Sequence, residues 1–411
     1  MKRNLDDQAK IFSLSYNQKD TSIFRVTATF TEDINEKYLQ QALARSLKRF
    51  KEFKVKLEKN LFWYYLEDNP EEIPINKKID YSFTKINTEE NNNYLFRVAY
   101  EGKQLVLDFF HLLTDGSGAR EFLKELIYNY IRLNHPKLTP QEKPIVNSEN
   151  AYIRYYTNKY KKAYNPPRSY QLKGEYIPSK EVAFNDFNIQ LSELKKIAKS
   201  KECSLSVLLI SLIVYSLYET NYKRNKGNKP INVCIPINLR KYFPSDTISN
   251  FVSHAMLSIT PNNIHSLDDT ISIVKKDFSN KIDEEKVKDT FESNGKSINN
   301  KILNIIPLAI KRFIVNLGSL IVKRTFTLTF SNLGETKIIE EYQKYVKNIT
   351  FKLIPDWAER IRCGISSFND ILTISFGSNL LDTSIEKKFK ELLEDLEITY
   401  NIEKNKINSI K

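Results

Sequence analysis

Strands and helices mix in both halves of this 411-residue chain, which predicts an α/β (α+β) protein built as two lobes. Three observations lead there. Each half opens on a strand followed by a helix. The length exceeds what one ordinary hydrophobic core supports and suits two lobes of about 200 residues each. The composition, 41% hydrophobic and 27% charged with 23 Tyr and 24 Phe, is that of a globular chain whose cores can bury large side chains. With only 10 Gly, there is neither a glycine-rich repeat nor a long flexible linker.

Residues 22–31 alternate and are rich in β-branched side chains, so they read as a strand. Asp33-Ile34-Asn35-Glu36 then offers a capping signal, and Leu39, Ala42, Leu43 and Leu47 follow at helical spacing. Further strands are expected at residues 53–57, 61–66, 79–83, 94–100 and 104–110, with Glu101-Gly102-Lys103 as a hairpin turn between the last two. Helical spacing returns over 117–133. Asn165-Pro166-Pro167-Arg168 interrupts regular structure in a Tyr-, Lys- and Pro-rich stretch, and the division into lobes 1–165 and 166–411 is placed there. The second lobe reads as a strand (182–191), helices (192–199 and from 204) and strands near 231–236 and 251–260. Helices at 267–281 and 297–322, strands at 326–331, 346–353, 361–368 and 371–377, and a helix at 384–396 complete it.

The formal charge is +13, from 63 Lys and Arg against 50 Asp and Glu. The lysines are dispersed, as solvated lysine is, and no stretch interleaves them with aromatics as a nucleic-acid groove would. A basic surface also suits an anionic partner, an acidic carrier protein among them. Cys203, Cys234 and Cys363 are far apart and form no CxxC, which points to a reducing compartment without a disulfide framework or a zinc site. No apolar stretch follows the basic residues at the N-terminus, so no signal peptide is expected. The longest apolar run, 205–218, is too short to span a bilayer and fits a buried helix. The expectation is a cytoplasmic protein without a transmembrane segment, a metal or a bound cofactor.

One segment carries chemistry: Asp108-Phe109-Phe110-His111-Leu112-Leu113-Thr114-Asp115-Gly116-Ser117. A hydrophobic strand ends at a histidine, a short turn follows, and an Asp-Gly pair opens a helix. A neutral imidazole at a strand end can take a proton from an attacking hydroxyl or amine, because its pKa lies near neutrality. Asp115 can close the turn by accepting backbone N–H groups or pair with an arginine elsewhere, and Gly116 would relieve the backbone at the helix start. The same residues also fit a satisfied core histidine in a βα turn with an N-capping aspartate.

Two later segments add to it: Cys234-Ile235-Pro236-Ile237-Asn238-Leu239-Arg240, followed by Asn250-Phe251, and Thr329-Phe330-Ser331-Asn332-Leu333-Gly334. With the HxxxDG sequence from His111 to Gly116, they resemble in order the chloramphenicol acetyltransferase-like superfamily, which includes condensation domains and alcohol O-acyltransferases. The resemblance is nearest the bacterial alcohol acetyltransferase-like branch. It implies two lobes with an active-site tunnel between them, His111 as general base, Asp115 as the loop-orienting residue and Arg240 as its ion-pair partner. Ser331 or Asn332 would lie near the tunnel, either as an oxyanion donor or simply as a strand-end turn. Phe110 stands where condensation domains usually carry a first histidine. The resemblance therefore implies acyl transfer from an acyl thioester, acyl-CoA as substrate, to an alcohol acceptor. A condensation-type enzyme with a carrier-bound donor and an amine acceptor, and a non-catalytic homologue, stay open beside it.

Overall fold

The computed structural model describes residues 2–16, 21–140, 146–157, 159, 167–179, 181–298 and 305–405. The division expected between residues 165 and 166 lies outside the described residues.

The first half contributes strands β1 (Lys2–Asn4), β2 (Ile23–Phe30), β3 (Val55–Lys59), β4 (Tyr64–Asp68), β5 (Ile75–Asn76), β6 (Phe96–Glu101) and β7 (Gln104–Phe110), with helices α1 (Asp7–Ser15), α2 (Glu36–Arg49), α3 (Gly116–Asn134) and α4 (Ala151–Tyr155). The second half contributes β8 (Ala183–Gln190), β9 (Ile231–Asn238), β10 (Val252–Ile259), β11 (Leu328–Glu335), β12 (Val346–Leu353), β13 (Ile361–Phe368), β14 (Ile371–Ser378) and β15 (Tyr400–Lys404). Its helices are α5 (Leu191–Ser200), α6 (Leu205–Leu217), α7 (Leu267–Lys281), α8 (Glu284–Ile298), α9 (Leu308–Val322), α10 (Glu340–Gln343) and α11 (Ser384–Asp395).

The strands form a five-stranded sheet in the order β12-β2-β7-β6-β5, a seven-stranded sheet in the order β10-β9-β11-β13-β14-β8-β15, and a three-stranded sheet β1-β4-β3. α2 and α3 cover one face of the five-stranded sheet over a core that includes Phe53, Phe96, Phe109 and Phe122. On the other face Asp108 receives Arg25 Nε at 2.6 Å and Arg97 Nη2 at 2.9 Å, which ties β7 to both neighbours and fixes their register. In the second core α6 is packed among α5, α7 and α11. Among the described residues one helical stretch, Leu205–Tyr222, is long and apolar enough to cross a membrane by length and composition, and 67% of it is buried inside the fold.

One strand joins the two lobes. β12 comes from the second half, yet it hydrogen-bonds antiparallel to β2 in the first sheet while lying against β13 and β14 of the second. Glycines make that crossing possible. A Cβ on Gly364 would stand 2.3 Å from the Phe351 carbonyl oxygen, and one on Gly377 would stand 2.3 Å from that of Leu353.

Several elements differ from expectation. Residues 79–83 form no strand: Asp80 bonds back to Ser82, and Phe83 sits at φ +47°, so the segment turns where alternation alone suggested extension. Of the single helix expected over 297–322, residues 299–304 lie outside the described residues; 297–298 end α8, and α9 begins directly after Pro307. β11 runs through Gly334, at φ +77°, to Glu335, so Ser331 and Asn332 lie within the strand rather than at its end. α1 and β15 had no counterpart in the sequence reading.

Replacing Gly364 by Ala is expected to destabilise the fold by about 1–3 kcal/mol, because the new methyl meets backbone that cannot swing aside. Urea unfolding of the two proteins measures it.

Candidate active site

β7 is buried almost throughout and ends at Phe110, so the residue after it emerges at the C-terminal end of the central strand of the first sheet. There the His111 backbone N–H donates to the Ser22 carbonyl at 2.8 Å, and Leu113 N–H closes the turn onto Phe110 at 2.9 Å. Thr114 Oγ1 donates to the Ile248 carbonyl at 2.6 Å, binding the turn to the second half of the chain.

Asp115 N-caps α3, and its carboxylate is filled from two sides. Oδ1 accepts the N–H groups of Ser117 and Gly118, each at 3.0 Å. Oδ2 accepts Arg240 Nη1 at 2.8 Å and the Phe251 N–H at 2.9 Å. Arg240 donates further through Nε and Nη2 to the Thr247 carbonyl at 3.0 and 2.8 Å, through Nη2 to the Ser249 carbonyl at 2.7 Å and through Nη1 to Asn238 Oδ1 at 3.2 Å. Asn238 Nδ2 adds a further bond to Ser117 Oγ at 3.0 Å.

The Phe251 bond places its neighbour, Asn250, against the histidine. Asn250 Nδ2 donates to the His111 carbonyl at 2.9 Å, and Asn250 Oδ1 lies 3.0 Å from His111 Nδ1. A carbonyl oxygen only accepts, so the amide nitrogen faces the backbone and the amide oxygen faces the ring. Nδ1 therefore carries the proton, and Nε2 keeps the lone pair. Burial holds the imidazole below its ordinary value of 6.5; its own backbone carbonyl, the Asp115 charge and the Asn250 hydrogen bond oppose that shift in part. The ring is stacked on Phe12 of α1 at 4.4 Å and meets Phe24 edge-on at 5.1 Å.

α1 thus roofs the site. Asp6 caps it by accepting the Ala9 N–H at 2.7 Å, and Gln8 Nε2 donates to Tyr152 Oη at 2.6 Å. The Asp6 carboxyl is pushed up to about 7, chiefly by burial and further by Asp7, while Ala9 and Asn250 donate to it and hold it back. The position of α1 was not legible beforehand: an Asp cap on a short, weakly patterned helix is a common surface feature.

Of the six residues singled out in the sequence, the structure brings together His111, Asp115, Gly116 and Arg240. The reason for Gly116 differs from the one expected. Its φ is not positive, and what a side chain would meet is Leu333 Cδ1 at 3.1 Å from the β11 end. The tighter glycine is Gly118, where a Cβ would fall 2.1 Å from Thr114 Oγ1 and 2.3 Å from the Ile248 oxygen. Ser331 pairs with Gly364 across β11 and β13, and exposed Asn332 turns its Oδ1 onto the Gly334 N–H at 2.8 Å. Among the described residues, neither bonds to His111, Asp115 or Arg240. Asn250, quoted in the sequence without a role, is the side chain that orients the His111 ring.

A cavity of about 1220 Å³ opens between the two sheets, lined by Arg25, Arg97, Asp186, Thr350 and Lys352 among others, and His111 is not part of its wall. A smaller one of about 250 Å³ abuts the motif loop at Asp6, Leu112, Leu113 and Ser249. Among the described residues no three His, Cys, Asp or Glu side chains converge as a metal site.

This architecture is the two-lobed fold of condensation domains and chloramphenicol acetyltransferase-like acyltransferases. The chain aligns over 95% of its length with 96% of polyketide synthase associated protein 5 from Mycobacterium tuberculosis, at 13% identity and a TM-score of 0.63. Trichothecene 15-O-acetyltransferase from Fusarium sporotrichioides aligns with 96% of the chain over 94% of its own, at 11% identity and a TM-score of 0.61. The starter condensation domain of rhizomide synthetase, solved with C8-CoA and Leu-SNAC, aligns over the same shares at 11% identity and 0.60. No protein-family model and no curated protein sequence matches the chain.

Two outcomes follow from the site. Asp115→Ala leaves Arg240 charged and without its carboxylate partner, and should cost about 3–5 kcal/mol in thermal or denaturant unfolding. Asn250→Asp sets a carboxylate beside Nδ1, so the His111 pKa should rise above its wild-type value by about one unit or more, read by NMR titration of the imidazole.

Proposed function

We propose that this chain is an acyltransferase that moves an acyl group from a thioester, acyl-CoA, to a hydroxyl acceptor with His111 as general base. The observation that carries the reading is the setting of the ring: half-buried against Phe12, with Asn250 Oδ1 at Nδ1 so that Nε2 is left basic.

In the reaction, Nε2 takes the proton of the acceptor hydroxyl as its oxygen attacks the thioester carbonyl carbon. A new C–O bond forms and the carbonyl oxygen takes up the negative charge. When the intermediate collapses, the C–S bond breaks, and the imidazolium returns its proton to the leaving thiolate. No electron donor or covalent acyl-enzyme is needed, so sequential kinetics are expected. The positive charge that builds on His111 faces the Asp115 carboxylate, which favours it. Ser331 or Asn332 would supply the donor to the oxyanion; Asn332 Oδ1 is engaged by Gly334, which leaves its Nδ2 for that task. A donor of this kind is worth about 3 kcal/mol. Asp115, Gly116 and Arg240 act on the loop and not on substrate. The three free cysteines fit a reducing, cytoplasmic setting.

A second reading has a specific observation behind it. Condensation and epimerization domains share the fold, and the epimerization domain from the third module of tyrocidine synthetase B aligns over 97% of the chain. In that reading the donor is carrier-bound and the acceptor is an amine. Phe110 at the first histidine position favours the free acyl-CoA donor.

Thiol release, assayed across acyl-CoA chain lengths with a panel of alcohols and amines, tests the assignment. His111→Ala should lower turnover by about 10²–10⁴-fold with its melting temperature kept, and near-wild-type turnover would remove the base from the mechanism. Because burial lowers the His111 pKa, the wild-type rate should persist below pH 6.5 and fall only as pH drops through that depressed value. With acyl-CoA as donor, apparent donor affinity should weaken as salt rises, since phosphates would meet basic side chains. Turnover confined to an acylated carrier protein would establish the second reading.

A further inference from the structure

α9 is built inside out. Its inner face carries Leu308 but also Lys311 and Arg312, while Ile310, Phe313, Ile314 and Leu317 stand outward, 52, 71, 53 and 57% exposed. A helix of a water-facing surface turns its apolar stripe to the core and its charges to solvent. Here the polarity is reversed, and specific contacts hold it so. Lys311 Nζ sits 3.3 Å from the centre of the Trp63 ring, and its pKa is lowered to about 8, first by burial and then by Lys10. Arg312 reaches Tyr64 Oη and the Tyr16 carbonyl, each at 3.2 Å. Rolling α9 to bury its stripe would break these contacts and expose the leucine beneath.

The stripe is not isolated. The Leu308 N–H bonds to the Leu61 carbonyl at 2.9 Å, bringing the β3–β4 turn with exposed Leu61 and Phe62 beside it. Exposed Ile11 lies on α1, which packs against α9. Ile310, Phe313, Ile314 and Leu317 line neither of the cavities described above and stand exposed at the surface. Residues 305–325 contain no Asp or Glu, in a chain of net charge +13; Lys311 and Arg312 point inward, and Arg324 is exposed at the end of the segment. Protruding apolar side chains on a helix without acids, in a cationic protein, match the boundary between acyl chains and anionic headgroups.

We infer that α9, with the Leu61–Phe62 turn and Ile11, docks this protein on the surface of an anionic lipid bilayer. The docked face adjoins the site, since Ile11 precedes Phe12, the residue stacked on His111. A substrate with a long apolar tail would then be met at the membrane. The inference stands on α9 alone and does not require the acyl-transfer reading.

The full chain is sedimented with vesicles of phosphatidylcholine alone and with vesicles containing roughly one third phosphatidylserine. The expected result is partition into the anionic vesicles about tenfold above the neutral ones. The pair Phe313→Ser and Leu317→Ser should lower it by about tenfold or more, while Leu381→Ser, at an exposed position just before α11, should leave it unchanged. Melting temperatures verify that the variants fold, and Ile310→Ser with Ile314→Ser serves as the replacement pair should the first not fold. A wild-type chain that stays in the supernatant with anionic vesicles overturns the inference, as does a folded variant that pellets like wild type. So does light scattering that finds a dimer which Phe313→Ser dissociates, because the stripe would then be covered by a second copy.

Discussion

The structure around the site hangs on one carboxylate. Asp115 receives two N–H groups from its own helix, a guanidinium from the turn after β9 and the N–H that opens β10. Desolvating such a group is costly, and an ion pair buried this way adds little net stability over an apolar pair of the same shape. Its value is geometric. Each oxygen has two donors, so any displacement of one element leaves a buried charge short of partners. The loop carrying His111, the Arg240 turn and Asn250 can therefore settle in one mutual arrangement only. Arg suits this place better than Lys: its spare donors satisfy the Thr247 and Ser249 carbonyls, so the same side chain also shapes the loop that ends at Asn250.

That local clamp needs the two lobes to be held at a fixed separation, and β12 does this. A strand that bonds within one sheet while resting on the face of another transmits position directly, without a flexible linker between. Close approach of backbone to backbone is the physical requirement. It is met by removing side chains at Gly364 and Gly377, one beneath each of two alternate β12 residues. Arg120 of α3 adds a second tie, donating to the Leu333 carbonyl at 2.9 Å where β11 reaches across to the first lobe.

Much of the fold was legible because burial writes itself into periodicity. β7, α7, β12 and β13 have the bounds that alternation or helical spacing gave them. The failures are equally physical. Phe83 and the Asp80 turn replace a strand because left-handed backbone at a non-glycine residue has no sequence signature. α1 is short, and its register on the site depends on a ring stack and on bonds to residues more than a hundred positions away. At the site, His111, Asp115 and Arg240 were legible as a motif in order. Asn250 was not assigned, because what makes an asparagine an orienting group is the direction of its amide, and that is set by its neighbours in space. Gly377 closes an expected strand with nothing in the sequence to mark it, yet it is one of the two places where β12 crosses.

The neutrality of Asn250 has a consequence for the chemistry. A carboxylate behind an imidazole orients it and also stabilises its charged form, which raises its pKa and suits a base that must pull a proton from a poorly acidic nucleophile in a strongly polar site. An amide orients without adding charge. The ring here is fixed in one tautomer while burial lowers its pKa, and the Asp115 charge opposes that through space and not through a hydrogen bond to the ring. Such a histidine gains a stabilised imidazolium only when a proton arrives, and it releases that proton readily. For a transfer in which the same ring must first accept a proton from a hydroxyl and then return it to a thiolate, the weaker hold helps the second step as much as it hinders the first. The depressed pKa and the uncharged orienting residue are thus two parts of one arrangement, and the Asp115 carboxylate, by its bond to the Phe251 N–H, sets the position of both.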